Sequence, residues 1–370
     1  MLDLLADFPI LVSCFLFILF RAWLQRDAGK SKGQGIFGFA QKEDAGQADA
    51  GQAAGDEDAA AGAPGAGDPD GASACWARKD GRFKYTSLDA GPEDFSAAPP
   101  RYSLTNLPLP LPELSGAERE GLGAFRERVR DLTARQMRTD DATLLRFLRA
   151  RKGDVGGAEA YLREACRYRE SMDLNGLEDR WNLEAYERCF APWWVKGGII
   201  GHGLKGQIVG FERFGRNALP DILDVMPVDV LLRLDACHMV RTLAAFEADA
   251  LRRGVWYGNA ILILDMEGLG WNFCKPGVAR AYGKIVEGRD KLMPNMLAHI
   301  FVIRAPRAAA AGWRMFQHIL DPVTREKVQI VSGDAASLAL LRRYLPEGVI
   351  PAYLGGGLRP GGDPECRTIL

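Results

Sequence analysis

The sequence predicts an α/β protein in which a small all-helical lobe precedes a domain built on a mainly parallel sheet. Three observations carry this. After Ser115, apolar residues recur at helical spacing for roughly 60 residues. From Leu183 onward, short apolar runs alternate with helical stretches, the pattern of crossover connections between parallel strands. One of those runs, Ala260 to Leu264, is apolar at every position, as a strand covered on both faces requires.

The chain has 370 residues, of which 47 are basic and 48 acidic, for a formal net charge of −1. That length has room for two or three domains. A content of 47% hydrophobic and 26% charged residues is that of a globular protein and excludes a fibrous or wholly disordered chain. The charge balance argues against general nucleic-acid binding, which needs a basic excess to displace counterions. Cys14, Cys75, Cys166, Cys189, Cys237, Cys274 and Cys366 are scattered and never spaced as CxxC. They argue against a disulfide framework and for a reducing compartment. The four histidines form no HExxH pair, which argues against a zinc enzyme, and no metal or cofactor is expected.

Met1 to Leu24 is the one long apolar run, which excludes a multi-span membrane protein. It just meets the roughly 20 residues that cross a hydrocarbon core. Asp3 and Asp7 precede it, while Arg21, Arg26, Lys30 and Lys32 follow, the reverse of a secretory signal. By the positive-inside rule, residues 1–26 read as an uncleaved membrane anchor with the folded part in the cytosol. A short buried or interfacial helix is the other reading. Residues 27–112 read as a linker: 41–75 consist mostly of Ala, Gly, Asp and Glu with no aromatic or β-branched residue, and a proline-rich approach follows. A flexible linker of some 80 residues spans about 50 Å.

Residues 113–180 form the helical lobe. Ser115 and Glu118 have the spacing of a capping box, with Phe125, Val129 and Leu132 on one face beyond it. Asp140-Asp141 starts a second helix, in which Leu144, Leu145, Phe147 and Leu148 alternate with Arg146, Arg149, Arg151 and Lys152. Val155 to Met172 keeps Ala158, Leu162, Ala165 and Cys166 on a third stripe. Residues 183–360 form the sheet domain. Strands are expected at Ile208 to Phe211, Ala260 to Leu264, His299 to Ile303 and Lys327 to Val331. Helices are expected at Val228 to Leu251, Pro276 to Leu292, Ala308 to Leu320 and Ser337 to Leu345. Residues 361–370 are a tail.

Two motifs imitate catalysis. Gly201-His202-Gly203-Leu204-Lys205-Gly206 satisfies GxGxxG, but a strand follows where a dinucleotide site needs a helix, and no kinase lysine, HRD or DFG appears. A hairpin turn is expected. Cys274 and Arg280 match the Cys-x5-Arg phosphatase spacing, yet Pro276 removes one backbone donor from the phosphate cradle, and Cys274 lies about ten residues past the strand. An incidental cysteine in a loop before a helix is the competing reading. No GxSxG and no Ser/His/Asp order occurs, so no enzyme is expected.

Five segments follow one another along the chain: Thr143-Leu144-Leu145-Arg146-Phe147-Leu148-Arg149-Ala150-Arg151-Lys152, Leu264-Asp265-Met266-Glu267-Gly268, Ile303-Arg304-Ala305-Pro306, Leu320-Asp321-Pro322-Val323-Thr324 and Pro351-x-Tyr353-Leu354-Gly355-Gly356. In order and distance they resemble the CRAL-TRIO lipid-binding family, of the yeast phosphatidylinositol/phosphatidylcholine transfer protein type, over residues 115 to 358. The resemblance implies a helical lobe on a sheet-floored lipid cavity closed by a gate helix, here Ala308 to Leu320 with Trp313, Phe316, Ile319 and Leu320 on its apolar side. An ordinary amphipathic helix on a sheet is the other reading of that run. The family's headgroup positions fall on Arg151, Thr324 and Lys327, which keep the matching types, and on Asn295, which replaces an acidic residue. A solvated helix end is the alternative for Arg151. The cavity wall falls on Ala260, Leu262 and Leu264, without hydroxyls where the family serves choline lipids. The implied function is binding and transfer or presentation of a phosphatidylinositol-type phospholipid at a membrane surface, without nucleic acid. A terpenoid or sterol-like ligand is the alternative.

Overall fold

The computed structural model describes residues 76–79, 82–85, 105–133, 136–174, 198–270, 275–307 and 327–364. Helix α1 (Gly116–Arg128) begins at Ser115, whose hydroxyl accepts from Glu118 N while the Glu118 carboxylate accepts from Ser115 N at 3.0 Å, the reciprocal box that the sequence predicts. Helix α2 (Asp141–Ala150) is capped by Asp140, which accepts from Thr143 N at 2.9 Å. Helix α3 (Val155–Ser171) completes the lobe. Leu122, Phe125, Leu144, Leu145, Leu148 and Leu162 form its core.

Strands β1 (Trp76–Lys79) and β2 (Arg82–Tyr85) pair as an antiparallel hairpin inside the stretch read as linker, and Leu109, near that stretch's end, is buried against the sheet domain. The physical signal for the hairpin is local: Asp80-Gly81, one of the dipeptides favoured in two-residue hairpin loops, stands between short runs that carry Trp76, Phe83 and Tyr85.

The main sheet has the order β3 (Gly198–His202), β4 (Ile208–Glu212), β5 (Ala260–Asp265), β6 (Leu297–Ile303) and β7 (Val328–Ile330). β3 and β4 are antiparallel, with Gly201 and His202 of the GxGxxG run in β3 and Gly203 to Gly206 in the hairpin turn, Gly206 at φ +79°. The remaining pairs are parallel. Helices α4 (Leu219–Val225) and α5 (Val228–Arg253) lie between β4 and β5, and α6 (Pro276–Leu292) lies between β5 and β6. α5 stops at Gly254, whose φ of +64° a side chain would strain. Helix α7 (Asp334–Arg342) follows β7 and starts three residues before the expected Ser337, because Gly333 at φ +75° turns the chain there. Among the described residues no helix is long and apolar enough to cross a membrane; Met1 to Leu24 lies outside them.

Candidate functional site

The alternation of β5 divides the sheet into two unlike faces. Ile261 and Ile263 are fully buried against Leu340 and Leu341 of α7 and the closing segment at Ile350 and Leu354. Leu262 and Leu264 point the other way and stay half-buried. Parallel register sets Leu262 between Gly210 and Ile300, and Leu264 beside Val302, which faces Ile330. On that side α4, α5 and α6 pack chiefly on one another, through Leu219, Ile222, Leu231, Val240, Val278 and Ile285. A parallel sheet is ordinarily covered on both faces. Among the described residues that cover is partial: Leu264, Ile300 and Ile330 pack beside Phe214, Met266 and Tyr282, while Leu262 stays half-buried, and the four aliphatic side chains form an apolar floor without a hydroxyl of their own. Ala260 shares the face but is buried under Leu243, Phe246 and Ala250 of α5, so it closes the strand's end rather than lining the floor.

At the C-terminal ends of the strands the sequence reading missed a network. Asp265, 1% exposed, pairs with Arg304 through both carboxylate oxygens, one at 2.9 Å from Nε. The same carboxylate accepts from the Tyr353 hydroxyl at 2.8 Å and from Glu267 N at 3.1 Å. Arg304 also reaches Glu267 at 2.8 Å. Its backbone is left-handed, φ +48°, and its N–H donates to Ser337 Oγ at 3.0 Å. Burial works against the Arg304 charge, but Asp265 outweighs it and raises the guanidinium pKa. Burial and the same carboxylate push the Tyr353 hydroxyl up. Three of the five recurring segments thus meet at one carboxylate. The available signal was a charged residue closing each of two apolar strands.

Three of the expected headgroup residues, Arg151, Asn295 and Lys327, lie away from this network. Arg151, the C-cap of α2, stacks 3.6 Å over the Tyr161 ring, and the Tyr161 hydroxyl donates to the Asp290 carboxylate of α6 at 2.6 Å. Asn295, at φ +53°, turns the chain from α6 into β6. Lys327 immediately precedes β7, close enough to His299 that, after burial and together with Lys205, it lowers the imidazole pKa. The structure thus places Arg151, Asn295 and Lys327 on segments at the N-terminal ends of the parallel strands. Thr324 lies outside the described residues, as do Trp313, Phe316, Ile319 and Leu320 of the expected gate and Cys274. Arg280 is exposed on α6. Among the described residues no group of three His, Cys, Asp or Glu side chains could hold a metal.

A second buried charge cluster joins the lobe to the sheet domain. Arg138 is fully buried before α2 and pairs with Glu247 of α5, itself 2% exposed, with Asp140 3.4 Å from the Arg138 Nε. Burial pushes the Glu247 carboxyl up, against the pull of Arg138. Arg146 lies 5.6 Å from the centre of the Tyr257 ring in the same layer. A pocket of about 360 Å³ does occur in the lobe, between Leu132, Arg163, Cys166 and Arg169, but its largely charged lining suits no acyl chain.

The comparisons fall on these parts. The CRAL/TRIO domain family matches residues 195–356 and the CRAL/TRIO N-terminal domain family matches residues 118–164. "Protein real-time" of Aedes aegypti is 27% identical over 265 residues, covering 70% of this chain and 39% of that protein. "Protein real-time" of Drosophila melanogaster is 30% identical over 231 residues, covering 62% of this chain and 33% of that protein. The chain therefore spans no more than about two fifths of the length of these curated relatives. A solved structure, "Crystal structure of Sfh5", aligns at 11% identity with a TM-score of 0.43, covering 62% of this chain and 85% of that one. With both family matches lying in order on the helical lobe and on the sheet domain, the chain belongs to the CRAL-TRIO family.

Proposed function

We propose that the protein binds a phosphatidylinositol-type phospholipid with its acyl chains on the apolar floor, and transfers or presents it at a membrane without catalysing a reaction. The observation that carries this is Leu262: a leucine at the centre of a five-stranded sheet, half-buried where such a position is ordinarily filled. Exposing each methylene to water would cost about 0.8 kcal/mol, and the apolar floor offsets that cost by replacing the bilayer interior around the chain. In this reading Arg151, Lys327 and Thr324 hold the inositol phosphate by charge-assisted hydrogen bonds, Asn295 meets ring hydroxyls, and the run from Ala308 to Leu320 is the lid. Membership of the CRAL-TRIO family supports a hydrophobic ligand.

Native mass spectrometry of the purified chain tests the proposal. Phosphatidylinositol is the expected co-purifying mass, and phosphatidylcholine is expected to be poor because the floor offers no hydroxyl. A bound terpenoid or sterol would favour the small-ligand reading, which the same bare floor supports. Lys327→Ala is expected to weaken phosphatidylinositol binding at least about tenfold, the effect of deleting one charged hydrogen-bond partner. Unchanged affinity would remove Lys327 from the site.

The tether belongs to the same proposal, supported by the apolar run and its flanking charges. Full-length protein is expected to resist carbonate extraction from membranes, while a chain starting at Ser103 fractionates as soluble. Release of the full-length protein by carbonate would reduce residues 1–26 to a peripheral helix.

A further inference from the structure

Two lysines and a histidine come together at the N-terminal ends of β6 and β7, on the face of the sheet that α7 covers. His299 belongs to that face: its ring centre lies 5.5 Å from that of Phe301 and 4.9 Å from that of Tyr344, which follows α7. Parallel register pairs Ile300 with Val328 and Phe301 with Gln329, so Lys327, one residue before β7, stands beside His299. Gln329, two positions on, donates from Nε2 to the Tyr344 hydroxyl at 2.9 Å. The β3–β4 turn closes the group from the other side. Leu204 N donates to Tyr344 O at 2.8 Å, and the next residue, Lys205, is fixed by its own N–H to Gln207 Oε1 at 3.2 Å.

The electrostatics there are one-sided. Burial first, and then the ammonium groups of Lys205 and Lys327, hold the His299 imidazole below its ordinary pKa, and no carboxylate offsets them. Lys205 is exposed and has no carboxylate partner among the described residues. His299 Nδ1 is enclosed with no hydrogen-bond partner among the described residues, whereas Nε2 is not enclosed. The neutral tautomer with its proton on Nε2 encloses a lone pair rather than an N–H, and it turns a donor outward. Two cations and one such donor match a phosphate monoester, which carries nearly two negative charges near neutral pH and three strong acceptor oxygens. A carboxylate would bring one charge and two oxygens, and would leave one donor unanswered.

We propose that Lys205, His299 and Lys327 bind a phosphate monoester, with the imidazole Nε2–H and the two ammonium groups as its donors. The site lies on the α7 face, away from Leu262 and Leu264, and rests on the proposed headgroup reading only in sharing Lys327. The monoester belongs either to a phosphorylated inositol headgroup or to a soluble phosphate compound.

NMR of the imidazole signals of the full chain tests it. The chain has four histidines, so each can be followed through a pH titration, with His299→Gln assigning its own signal. The titrations are run without additions, with inorganic phosphate, and with water-soluble short-chain phosphatidylinositol that either lacks or carries a phosphate on its ring. Inorganic phosphate is expected to raise the His299 midpoint by at least about one pH unit, the effect of an opposite charge at close range. His238 of α5 is expected to stay in place. Lys205→Ala is expected to raise the phosphate-free midpoint, by removing a repelling charge, and to weaken phosphate binding about tenfold. A rise with the ring-phosphorylated lipid and not with the plain one assigns the monoester to a headgroup, and a rise with inorganic phosphate alone assigns it to a soluble compound. No rise with any probe overturns the inference. So does an equal rise with plain phosphatidylinositol, which marks a phosphodiester instead. Lipid occupancy of the same samples, read by mass, reports on the floor: an empty floor beside an intact His299 response would sink the proposed function and not this site.

Discussion

Arg304→Ala is expected to lower the thermal midpoint by roughly 6–20 °C, the equivalent of about 3–5 kcal/mol for a buried ion pair broken on one side. Asp265 is 1% exposed, and Arg304 is its only cationic partner among the described ion pairs. Removing the guanidinium leaves the carboxylate with the Tyr353 hydroxyl and the Glu267 N–H, neither of which neutralises it. It also frees Glu267 from its 2.8 Å contact and removes the guanidinium 5.0 Å from the Tyr353 ring centre. The double variant Arg304→Ala/Asp265→Asn strands no charge and should recover part of the loss, an interaction that a double-mutant cycle by calorimetry measures. If the two losses simply add, the pair is not coupled and the network is incidental to stability.

Arg138→Met is expected to be comparably severe, for the same reason at a different joint. It strands both Glu247 and Asp140 in the layer between lobe and sheet domain. Limited proteolysis should then cut between the two parts, where the wild type resists. Glu247→Gln should cost much less, because the amide still accepts from Arg138 and burial already disfavours the carboxylate. The pH dependence follows from the raised pKa. A carboxyl that holds its proton more tightly folded than unfolded contributes stability below its ordinary value near 4.5, and that contribution is lost as pH rises through the folded value. Glu247→Gln should flatten this slope, which midpoints measured from acid to neutral pH would show.

The legible parts of the fold were those written within one or two turns of chain. The Ser115 box, the Asp140 cap, the Pro276 start of α6 and the apolar run of β5 each announce an element through residues within four positions of one another, and each element stands where its signal lies. The β1–β2 hairpin was equally local in its Asp80-Gly81 signal, but the surrounding low-complexity sequence obscured it. Part of the site was named in advance only through the family resemblance, which put Ala260, Leu262 and Leu264 on the cavity wall, since a run apolar at every position does not show which face is filled. Ala260 shares the alternation of Leu262 and Leu264 and still fell under α5, because period two assigns a face without saying what covers it.

By itself, then, the sequence marked most of the helices and parallel strands and their order through capping, periodicity and apolar runs, all short-range effects, while the family was legible only as the resemblance of five separate segments. Tertiary structure alone decided which partners meet. Asp265 finds Arg304 39 residues on and Tyr353 88 residues on, and Arg138 finds Glu247 109 residues on. It also decided that one face of the sheet is filled by α7 while, among the described residues, the other leaves Leu262 and Leu264 only half-buried. No local pattern encodes such meetings, because a buried charge is stabilised by whatever opposite charge the packed chain brings to it, at any separation in sequence.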